Sequence, residues 1–571
     1  MTIQQKVRLM IMLLVGLMMS FDVMAEESSN KLSMPTLFAD HMLLQRDIPC
    51  HIWGWGRPGT AVSVAFNGQN QQTTVAADGN WSLKLDAMDA LSTGSELVVK
   101  DDRSELSFSN VVVGDIWICS GQSNMGVGVD RLKGVAPELW EDIVETTDYP
   151  NVRYMNVKEV KSPFEENRDI SVQVDWTALT KDVDLSRLRP SGIGFIFATR
   201  LHRELDIPVA FIQSAIGSSA IETWTSREAL MSSEEGKLII DTWAKVQNNY
   251  SDERLKEYVD AEIREAQARG DDKQASKMKD PRHWPKEPIA SRLHPCSAFN
   301  GMIAPLTKMS IKGVIWDQGE ANTNRAWQYR ELLPLMISDW RKHWEQGNGS
   351  AAKTLPFYQV QIQDWRQPLD RSQRPPSSGD ACAEIRDAQR YAAEITENCE
   401  IVCTIDHREG GDTHPLLKNI PGERLAAVAL ARTYGKQIQW RGPSFKSAEV
   451  KDGQIQITFD GLGKGLMVGE RSGHMVQGTA VDQALDYFAI AGADMKYVWA
   501  HARIDGDQVL VWNDAIKDPR YVRYAWEANP KGCNLYNKDG WPATPFRTDE
   551  LPYKTRDKNK PLEESDWYSQ H

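Results

Sequence analysis

The stretch Gly114-Asp-Ile-Trp-Ile-Cys-Ser-Gly-Gln-Ser-Asn-Met125 indicates the fold, because an apolar strand runs directly into a small polar turn. In a parallel α/β sheet such a turn lies at the carboxyl end of a strand, where ligands bind. The turn can place the hydroxyl of Ser123 at the mouth of a cleft, and the backbone N–H groups around it can face an oxyanion. A plain helix-capping serine is the alternative interpretation, since such a pattern without partners is a weak signal.

Outward from this stretch, short apolar runs alternate with helical stretches. The predicted strands are Asp115–Cys119, Val209–Gln213, Val314–Asp317, Phe357–Ile362 and Ile401–Ile405. The predicted helices are Gly194–Glu204, Tyr329–Glu345, Glu384–Ile395 and Glu423–Tyr434. Apolar strands of this length are typical of a parallel sheet buried on both faces. The alternation therefore predicts an α/β domain with a doubly wound parallel sheet over residues 113–440.

Two β regions flank the predicted sheet domain. Residues 34–112 combine β-forming runs with turn signals and predict an N-terminal β-sandwich domain. Residues 441–550 return to β signals and predict a C-terminal β region, and the charged residues 551–571 form a tail. Residues 235–290 are highly charged with apolar positions at helical spacing, which predicts a helical insertion. The insertion is either a lid over the site or a solvated decoration.

The first 25 residues have the features of a signal peptide. Lys6 and Arg8 precede an apolar run from Leu9 to Met19, and a small-residue cleavage site ends at Ala25. The apolar run is shorter than the roughly 20 residues that a membrane-spanning helix requires. We therefore expect an exported protein, periplasmic or secreted, with no membrane anchor after cleavage.

Composition excludes some function classes. The formal net charge is -13 and basic residues form no dense stripe, which argues against a nucleic-acid partner because phosphate binding depends on basic patches. The presence of 20 Trp favours carbohydrate binding only slightly. Of the 7 Cys, Cys399 and Cys403 form a local candidate disulfide pair, but no second pair completes a zinc site. We expect no metal and no cofactor, and the oligomeric state stays open.

A second polar stretch, Asp412-Thr-His-Pro415, follows the last predicted strand of the sheet. A serine hydroxyl is a poor nucleophile until a base accepts its proton, and histidine suits that task near neutral pH. A carboxylate two residues before His414 can hold one ring nitrogen while the other faces the serine. His407, at the end of the strand itself, is the competing candidate base.

Two more loops carry polar groups after predicted strands. In Trp316-Asp-Gln-Gly-Glu-Ala-Asn322, the amides of Gln318 and Asn322 are candidate oxyanion donors, and Glu320 is suited to positioning other groups. In Ser214-Ala-Ile-Gly-Ser-Ser-Ala-Ile-Glu-Thr-Trp224, the backbone N–H of Gly217 can complete the oxyanion hole, because glycine allows close approach. Trp224 is either a platform for a sugar or a core residue.

These motifs together resemble the sialate O-acetylesterase-like family of SGNH hydrolases. The resemblance rests on Ser120–Met125, Gln318-Gly-Glu320, and Asp412–Pro415 followed by Lys418, and it extends over nearly all of the chain beyond the signal peptide. It implies a flavodoxin-like catalytic domain and a carboxylic ester hydrolase that removes O-acetyl groups from carbohydrates. It also implies that Ser123, Asp412 and His414 are the catalytic residues and that Gly217 belongs to the oxyanion hole. The candidate substrate-binding residues are Gln122, Trp224, Glu320, Arg325 and His407.

The choice of substrate stays open at the level of sequence. A sialic acid carries a carboxylate and favours an arginine in the pocket, for which Arg325 and Arg366 are candidates. Acetylated plant or algal polysaccharides such as xylan, xyloglucan or pectin favour a groove lined by Trp224, Trp316 and Trp365. A non-catalytic carbohydrate-binding protein is the alternative from another class, and the presence of both Ser123 and His414 argues against it.

Overall fold

A computed structural model describes residues 31–284, 287–291, 294–363, 371–372, 375–376, 379–407, 413–472, 475–478 and 484–558. The fold is mixed α/β, with a central, mostly parallel sheet and additional β regions before and after it. The predicted signal peptide and the tail beyond residue 558 lie outside the described residues. Within the described ranges, no helix combines the length and the apolar character needed to cross a membrane.

The N-terminal region is built from short strands, most of them in antiparallel pairs. Its strands are β1 (Leu43–Gln45), β2 (Cys50–Trp55), β3 (Ala61–Phe66), β4 (Gln69–Thr74), β5 (Asn80–Leu85) and β6 (Leu91–Lys100). Strand β2 pairs with β5, and β3 pairs with both β4 and β6. In β3 the side chains of Val62, Val64 and Phe66 are buried, whereas the positions between them are less so. This alternation gives the region a core on one face of the sheet.

A mostly parallel sheet forms the centre of the molecule. Its strands are β7 (Glu105–Gly121), β8 (Tyr149–Val157), β9 (Val172–Leu179), β10 (Val209–Ala215), β11 (Gly313–Asp317), β12 (Phe357–Val360) and β13 (Cys399–Val402). They lie in the order β13-β12-β11-β7-β10-β8-β9, and the neighbours are parallel except for the antiparallel pair β8 and β9. Sequence patterns do not anticipate β8 and β9. The first half of the edge strand β9 alternates between half-buried and exposed side chains, so it lacks the apolar run that marks the other strands.

Strand β7 belongs to both the N-terminal region and the central sheet. Its first part pairs with β6, its middle runs parallel to β1, and its last part pairs with β10 and β11. The predicted domain boundary between residues 112 and 113 therefore falls inside one continuous strand. The Gln45 side chain reinforces this junction, because it accepts the Ile116 backbone N–H at 2.9 Å and donates to the Asp115 carboxylate at 2.7 Å.

Helices cover both faces of the central sheet. They are α1 (Ser123–Gly126), α2 (Leu132–Val135), α3 (Pro137–Thr146), α4 (Leu185–Leu188), α5 (Gly192–Leu205), α6 (Arg227–Met231), α7 (Glu234–Asn249), α8 (Asp252–Ala268), α9 (Asp272–Met278), α10 (Ala326–Asn348), α11 (Ala381–Ile395) and α12 (Asn419–Arg432). Ile116 and Ile118 of β7 share a core with α10 and α11. Trp117 and Cys119 point the other way and share a core with α5 and α12. The carboxyl edge of the sheet is thus left to the loops that carry the candidate site.

The segment predicted as a helical insertion forms α7, α8 and α9. Trp243, Val246, Leu255 and Val259 from this segment are buried and belong to the same core as α10 and α11. The opposite side of α8 is largely exposed and charged. The insertion therefore packs against the main body through one apolar face, which is the usual arrangement of an amphipathic helix.

The C-terminal region consists of small antiparallel sheets. Its strands are β14 (Ser444–Lys451), β15 (Gln454–Asp460), β16 (Leu466–Ser472), β17 (Met475–Gly478), β18 (Phe488–Ala491), β19 (Val498–Trp499), β20 (His501–Asp505), β21 (Gln508–Trp512), β22 (Tyr521–Tyr524), β23 (Leu535–Asn537) and β24 (Phe546–Arg547). They form the sheets β14-β15-β21-β20, β17-β16-β23 and β19-β18-β22-β24. Arg386 of α11 joins this region to the central domain by donating to the carbonyls of Glu527 and Ala528, each at 2.8 Å.

All seven cysteines lie in described residues and are buried, and no disulfide joins Cys399 to Cys403. The candidate disulfide between Cys399 and Cys403 is therefore not formed, which corrects that expectation. Burial raises the pKa of each of these two thiols to about 12, so both stay protonated and unreactive near neutral pH.

Candidate active site

The turn after β7 is shaped by a glycine. Gly121 has a φ of +137°, and a Cβ at this position would lie 2.1 Å from the carbonyl oxygen of Asp317 on the neighbouring strand β11. The next residue, Gln122, donates its backbone N–H to that same carbonyl at 2.9 Å. The chain then turns directly into α1, which begins at Ser123. Close contact between the two strand ends thus fixes where the Ser123 hydroxyl lies.

Ser123 and His414 meet at this edge of the sheet although they are far apart in sequence. The Nε2 atom of His414 lies 2.8 Å from the Oγ atom of Ser123. With a neutral imidazole, the hydroxyl donates to Nε2 and the ring can accept the proton. Both residues are partly exposed, so a substrate from solvent can reach them. This is the geometry required of a nucleophile and its general base.

The loop that carries His414 is described from Thr413 onwards. The other ring nitrogen of His414, Nδ1, lies 3.2 Å from the hydroxyl of Thr413. Asp412, the carboxylate expected behind the imidazole, lies outside the described residues. Its role as the residue that orients His414 therefore stays a prediction.

The amides of Gln318 and Asn322 are used within the protein. Gln318 donates from Nε2 to the carbonyl of Ser219 at 3.1 Å and to Oδ1 of Asn322 at 2.8 Å. Asn322 donates from Nδ2 to Glu222 at 3.1 Å, and neither side chain is exposed. Both amides therefore brace the loops after β10 and β11. This placement differs from the expectation that one of them faces an oxyanion.

Gln122 is buried and Gly217 is partly exposed at the same edge of the sheet. The Oε1 atom of Gln122 accepts the backbone N–H groups of Gly319 and Ala321, each at 3.3 Å. These bonds fix the direction of the amide and leave Nε2 without a hydrogen-bond partner among the described residues. Gly217 is partly exposed in the loop after β10, next to Ser218 with a φ of +60°.

Glu320 belongs to a buried network of polar groups. Its Oε1 atom accepts from Nδ2 of Asn124 at 2.7 Å. Burial raises the pKa of Glu320, while hydrogen bonds and the positive charge of Lys418 oppose that rise. Burial and the nearby Glu320 charge raise the pKa of Asp317 to about 7. Glu320 thus faces protein groups, in line with the expectation that it positions others, and its candidate role in substrate binding is not supported.

The tryptophans proposed to stack on a sugar are core residues. Trp224 and Trp316 have no exposed surface, and their rings pack edge to face with centroids 5.8 Å apart. Trp224 also donates from Nε1 to the hydroxyl of Ser219 at 2.8 Å. Neither ring can stack on a substrate, which corrects both assignments. Trp365 lies outside the described residues.

Arg325 and His407 are also occupied inside the protein. Arg325 forms a 2.6 Å ion pair with the buried carboxylate of Glu222, so it is not available to a substrate carboxylate. His407 is buried, its Nε2 atom faces the carbonyl of Leu417 at 3.0 Å, and burial lowers the pKa of its ring to about 3. His407 is therefore neither a substrate contact nor a second base. Arg366 lies outside the described residues.

Sequence analysis missed two features beside the site. The first is a set of buried polar side chains, Asn124, Gln363 and Lys418, that connects the loop of Ser123 to the loop of His414. The second is an open polar cleft that runs from Gly126 past Gln213 to Arg187. Asn124 and Lys418 fall within the motifs quoted above, but the contacts that join them to Gln363 and Thr413 span separate loops and leave no local pattern. Within the described ranges, no group of three or more His, Cys, Asp or Glu residues is placed to hold a metal ion.

Comparisons with known proteins give one consistent result. Residues 113–251 match the family model described as carbohydrate esterase, sialic acid-specific acetylesterase. The sialate O-acetylesterase of Mus musculus is 27% identical over 543 residues, covering 89% of this chain and 92% of the mouse protein. The sialate O-acetylesterase of Homo sapiens is 26% identical over 572 residues, covering 94% of this chain and 96% of the human protein.

A solved structure supports the same relationship over most of the chain. The crystal structure of a carbohydrate acetylesterase from Xanthomonas citri superposes with a TM-score of 0.70 at 29% identity, covering 91% of this chain and 100% of that one. The matched region of the family model begins within strand β7, ahead of Ser123, and includes Gly217. Together with the motifs, these matches support a carbohydrate O-acetyl esterase that is similar to the sialate O-acetylesterases.

Proposed function

We propose that this chain is a serine carbohydrate esterase that hydrolyses O-acetyl groups on sugars, with Ser123 as nucleophile and His414 as general base. The observation that carries this proposal is the 2.8 Å contact between Ser123 Oγ and His414 Nε2 at the carboxyl edge of the central sheet. Asp412 is the carboxylate that orients His414 in this proposal. The scaffold is the doubly wound, flavodoxin-like sheet of SGNH hydrolases.

The reaction proceeds in two acyl-transfer steps. As the hydroxyl of Ser123 attacks the acetyl carbonyl, its proton moves to Nε2 of His414, and the resulting imidazolium then protonates the leaving sugar oxygen. Water, deprotonated by His414, attacks the acetyl-enzyme and releases acetate, returning the proton to Ser123. Each step balances without a further reactant.

The tetrahedral intermediate needs donors for its oxyanion. The backbone N–H groups of Ser123 and Gly217 supply two of them, at the ends of the neighbouring strands β7 and β10. We assign the third to Nε2 of Gln122, because Gly319 and Ala321 hold the amide oxygen and so direct the nitrogen away from them. The loss of one such donor typically slows acyl transfer about 100- to 1000-fold.

The polar cleft beside the site is suited to a hydroxyl-rich leaving group. Carboxylates and guanidinium groups line it, including Asp182, Asp184 and Arg187, and such groups bind sugar hydroxyls in both donor and acceptor roles. Exposed Arg187 could also pair with a sugar carboxylate, as in a sialic acid. Acetylated xylan, xyloglucan or pectin is the second candidate substrate class, for which the polar lining of this open cleft is also suited.

The first prediction tests the nucleophile. Ser123→Ala should lower the release of p-nitrophenol from p-nitrophenyl acetate by at least about a thousand-fold, since the attacking oxygen is lost. Ser82→Ala, at an exposed position of β5 remote from the site, is the matched control and should retain wild-type activity. Full activity in Ser123→Ala would place the nucleophile elsewhere.

A second measurement on the wild-type protein separates the candidate substrates. Acetate release is measured on acetylated sialic acid, xylan, xyloglucan and pectin, and the substrate with the highest kcat/KM identifies the class. A wild-type protein that binds these glycans and releases no acetate from any of them would instead be a carbohydrate-binding protein. We further propose export to the periplasm or the medium, from the signal-peptide features of residues 1–25.

A further inference from the structure

A set of hydrogen bonds ties the loop of His414 to the helix of Ser123. Asn124, the residue after Ser123, donates from Nδ2 to Oε1 of Glu320 at 2.7 Å and to the carbonyl of Thr413 at 3.1 Å. Thr413 directly precedes His414. Asn124 has no exposed surface, so these contacts are shielded from water and are stronger than they would be in solvent.

A second amide repeats the same pattern from another strand. Gln363, in the loop after β12, donates from Nε2 to the carbonyl of Thr413 at 3.3 Å and to Oε1 of Glu320 at 3.5 Å. Two amides thus bridge the same two acceptors, one a carboxylate and the other the carbonyl next to His414. We call Glu320, Asn124, Gln363 and the Thr413 carbonyl the Glu320 clamp.

The carboxylate of Glu320 determines the orientation of the two amide side chains. An amide carries a donor and an acceptor at opposite ends, whereas an ionised carboxylate only accepts. Glu320 therefore selects the orientation in which both amides turn their N–H groups towards it, and the same nitrogen of each amide then holds the Thr413 carbonyl. Lys418 completes the arrangement from the other side, because its ammonium donates to Oδ1 of Asn124 at 2.7 Å.

We propose that Glu320 is a positioning residue for acyl transfer, which acts through Asn124 and Gln363 to hold Thr413 and so keep His414 within hydrogen-bond reach of Ser123. This inference rests on the proposed function and adds to it a residue that does not touch substrate. Catalytic geometry is sensitive to shifts of about 1 Å, so a loosened His414 loop lowers the rate of attack rather than substrate affinity.

The surroundings of Glu320 agree with a role beyond packing. Its neighbour Asp317 has both carboxylate oxygens buried, without a hydrogen bond to any described residue. Two carboxylates thus lie close to the ammonium of Lys418, and burial together with the charge of Glu320 raises the pKa of Asp317. Burying such a group is costly, and costly polar groups are concentrated at functional sites.

The test compares Glu320→Gln with Glu138→Gln, an exposed glutamate at the start of α3. The readouts are kcat and KM for p-nitrophenyl acetate, and the rate at which a fluorophosphonate labels Ser123. The label reports the activation of Ser123 by His414 and needs no carbohydrate. In Glu320→Gln we expect both kcat and the labelling rate to fall about 10- to 100-fold with KM changed less than about threefold, and Glu138→Gln to match wild type.

A double-mutant cycle separates positioning from general damage. Gln363→Met removes the second amide at similar volume, and if both residues act through the clamp, the double variant should be little slower than Glu320→Gln alone. Fully multiplicative effects of the two substitutions on the labelling rate, or a wild-type labelling rate in Glu320→Gln, would overturn the inference.

If Glu320→Gln does not fold, Gln363→Met is tested alone, because a wild-type labelling rate in that variant also contradicts the clamp. Wild-type protein that labels at Ser123 and releases no acetate from sugars would instead overturn the proposed function, while the labelling rates still judge the clamp.

Discussion

Single side chains at the edge of the central sheet differ in function because they differ in burial. Ser123 and His414 are partly exposed and 2.8 Å apart, whereas His407, only a few residues before His414, is sealed in the interior with a pKa lowered to about 3. The exposed imidazole can exchange protons with a substrate. The buried one stays neutral and contributes to the structure.

The depressed pKa of His407 predicts a pH dependence of stability. The unfolded chain binds a proton at this histidine near pH 6.5 and the folded chain does not, so stability falls as the pH drops below about 6.5, by at most about 1.4 kcal/mol per pH unit. Urea unfolding between pH 4 and pH 7 should show that His407→Gln lacks this component. The exposed His501→Gln serves as control, and equal pH dependence in wild type and His407→Gln would contradict the assignment.

Residue patterns predict which loops meet, and they leave open which way each side chain points. Ser123 and His414 could be identified because the carboxyl ends of parallel strands converge. Trp224 and Arg325 follow strand ends in the same manner, yet Trp224 packs on Trp316 and Arg325 pairs with Glu222. Those contacts come from residues distant in sequence, so no local pattern contains them.

At the scale of elements, the strands β7 and β11 determine the site through their carboxyl ends. The backbone bond from Gln122 to Asp317 continues the sheet pairing into the turn. The buried strands were predictable from their apolar runs, as were α5, α10, α11 and α12. The edge pair β8 and β9 was not, because edge strands carry mixed polar patterns and their pairing depends on partners elsewhere in the chain.

The close approach of these two strand ends predicts the effect of a small substitution. Gly121→Ala places a Cβ 2.1 Å from the Asp317 carbonyl at a φ of +137°, so it should cost at least about 2 kcal/mol of unfolding free energy and most of the activity. Gly126→Ala, with no atom within 4 Å of the added Cβ, should leave stability within about 0.5 kcal/mol. Chemical denaturation measures both, and equal stability of the two variants would contradict the described turn.

At the scale of the whole molecule, β7 makes the N-terminal region and the central sheet one structural unit. The strand pairs with β6 and β1 at one end and with β10 and β11 at the other. Near residue 113 the sequence changes from β signals alone to alternating strand and helix signals. This pattern does not reveal that one continuous strand spans the change.

This shared strand predicts coupled unfolding. Val64→Ala removes buried volume from the N-terminal core, at a cost of about 2 kcal/mol, and should lower the temperature of activity loss together with the Tm from calorimetry. Gln72→Ala, on the exposed face of β4, should change neither. A separate early calorimetric transition in Val64→Ala with full esterase activity above it would show that the two regions unfold independently.

The attack of Ser123 on an acetyl carbonyl is the central claim, and peptide mass spectrometry of enzyme quenched with acid during turnover of p-nitrophenyl acetate tests it most directly. The peptide that contains Ser123 should carry one acetyl group, and this label should be absent from Ser123→Ala. An acetyl group on a different residue, or turnover that persists in Ser123→Ala, would contradict the account.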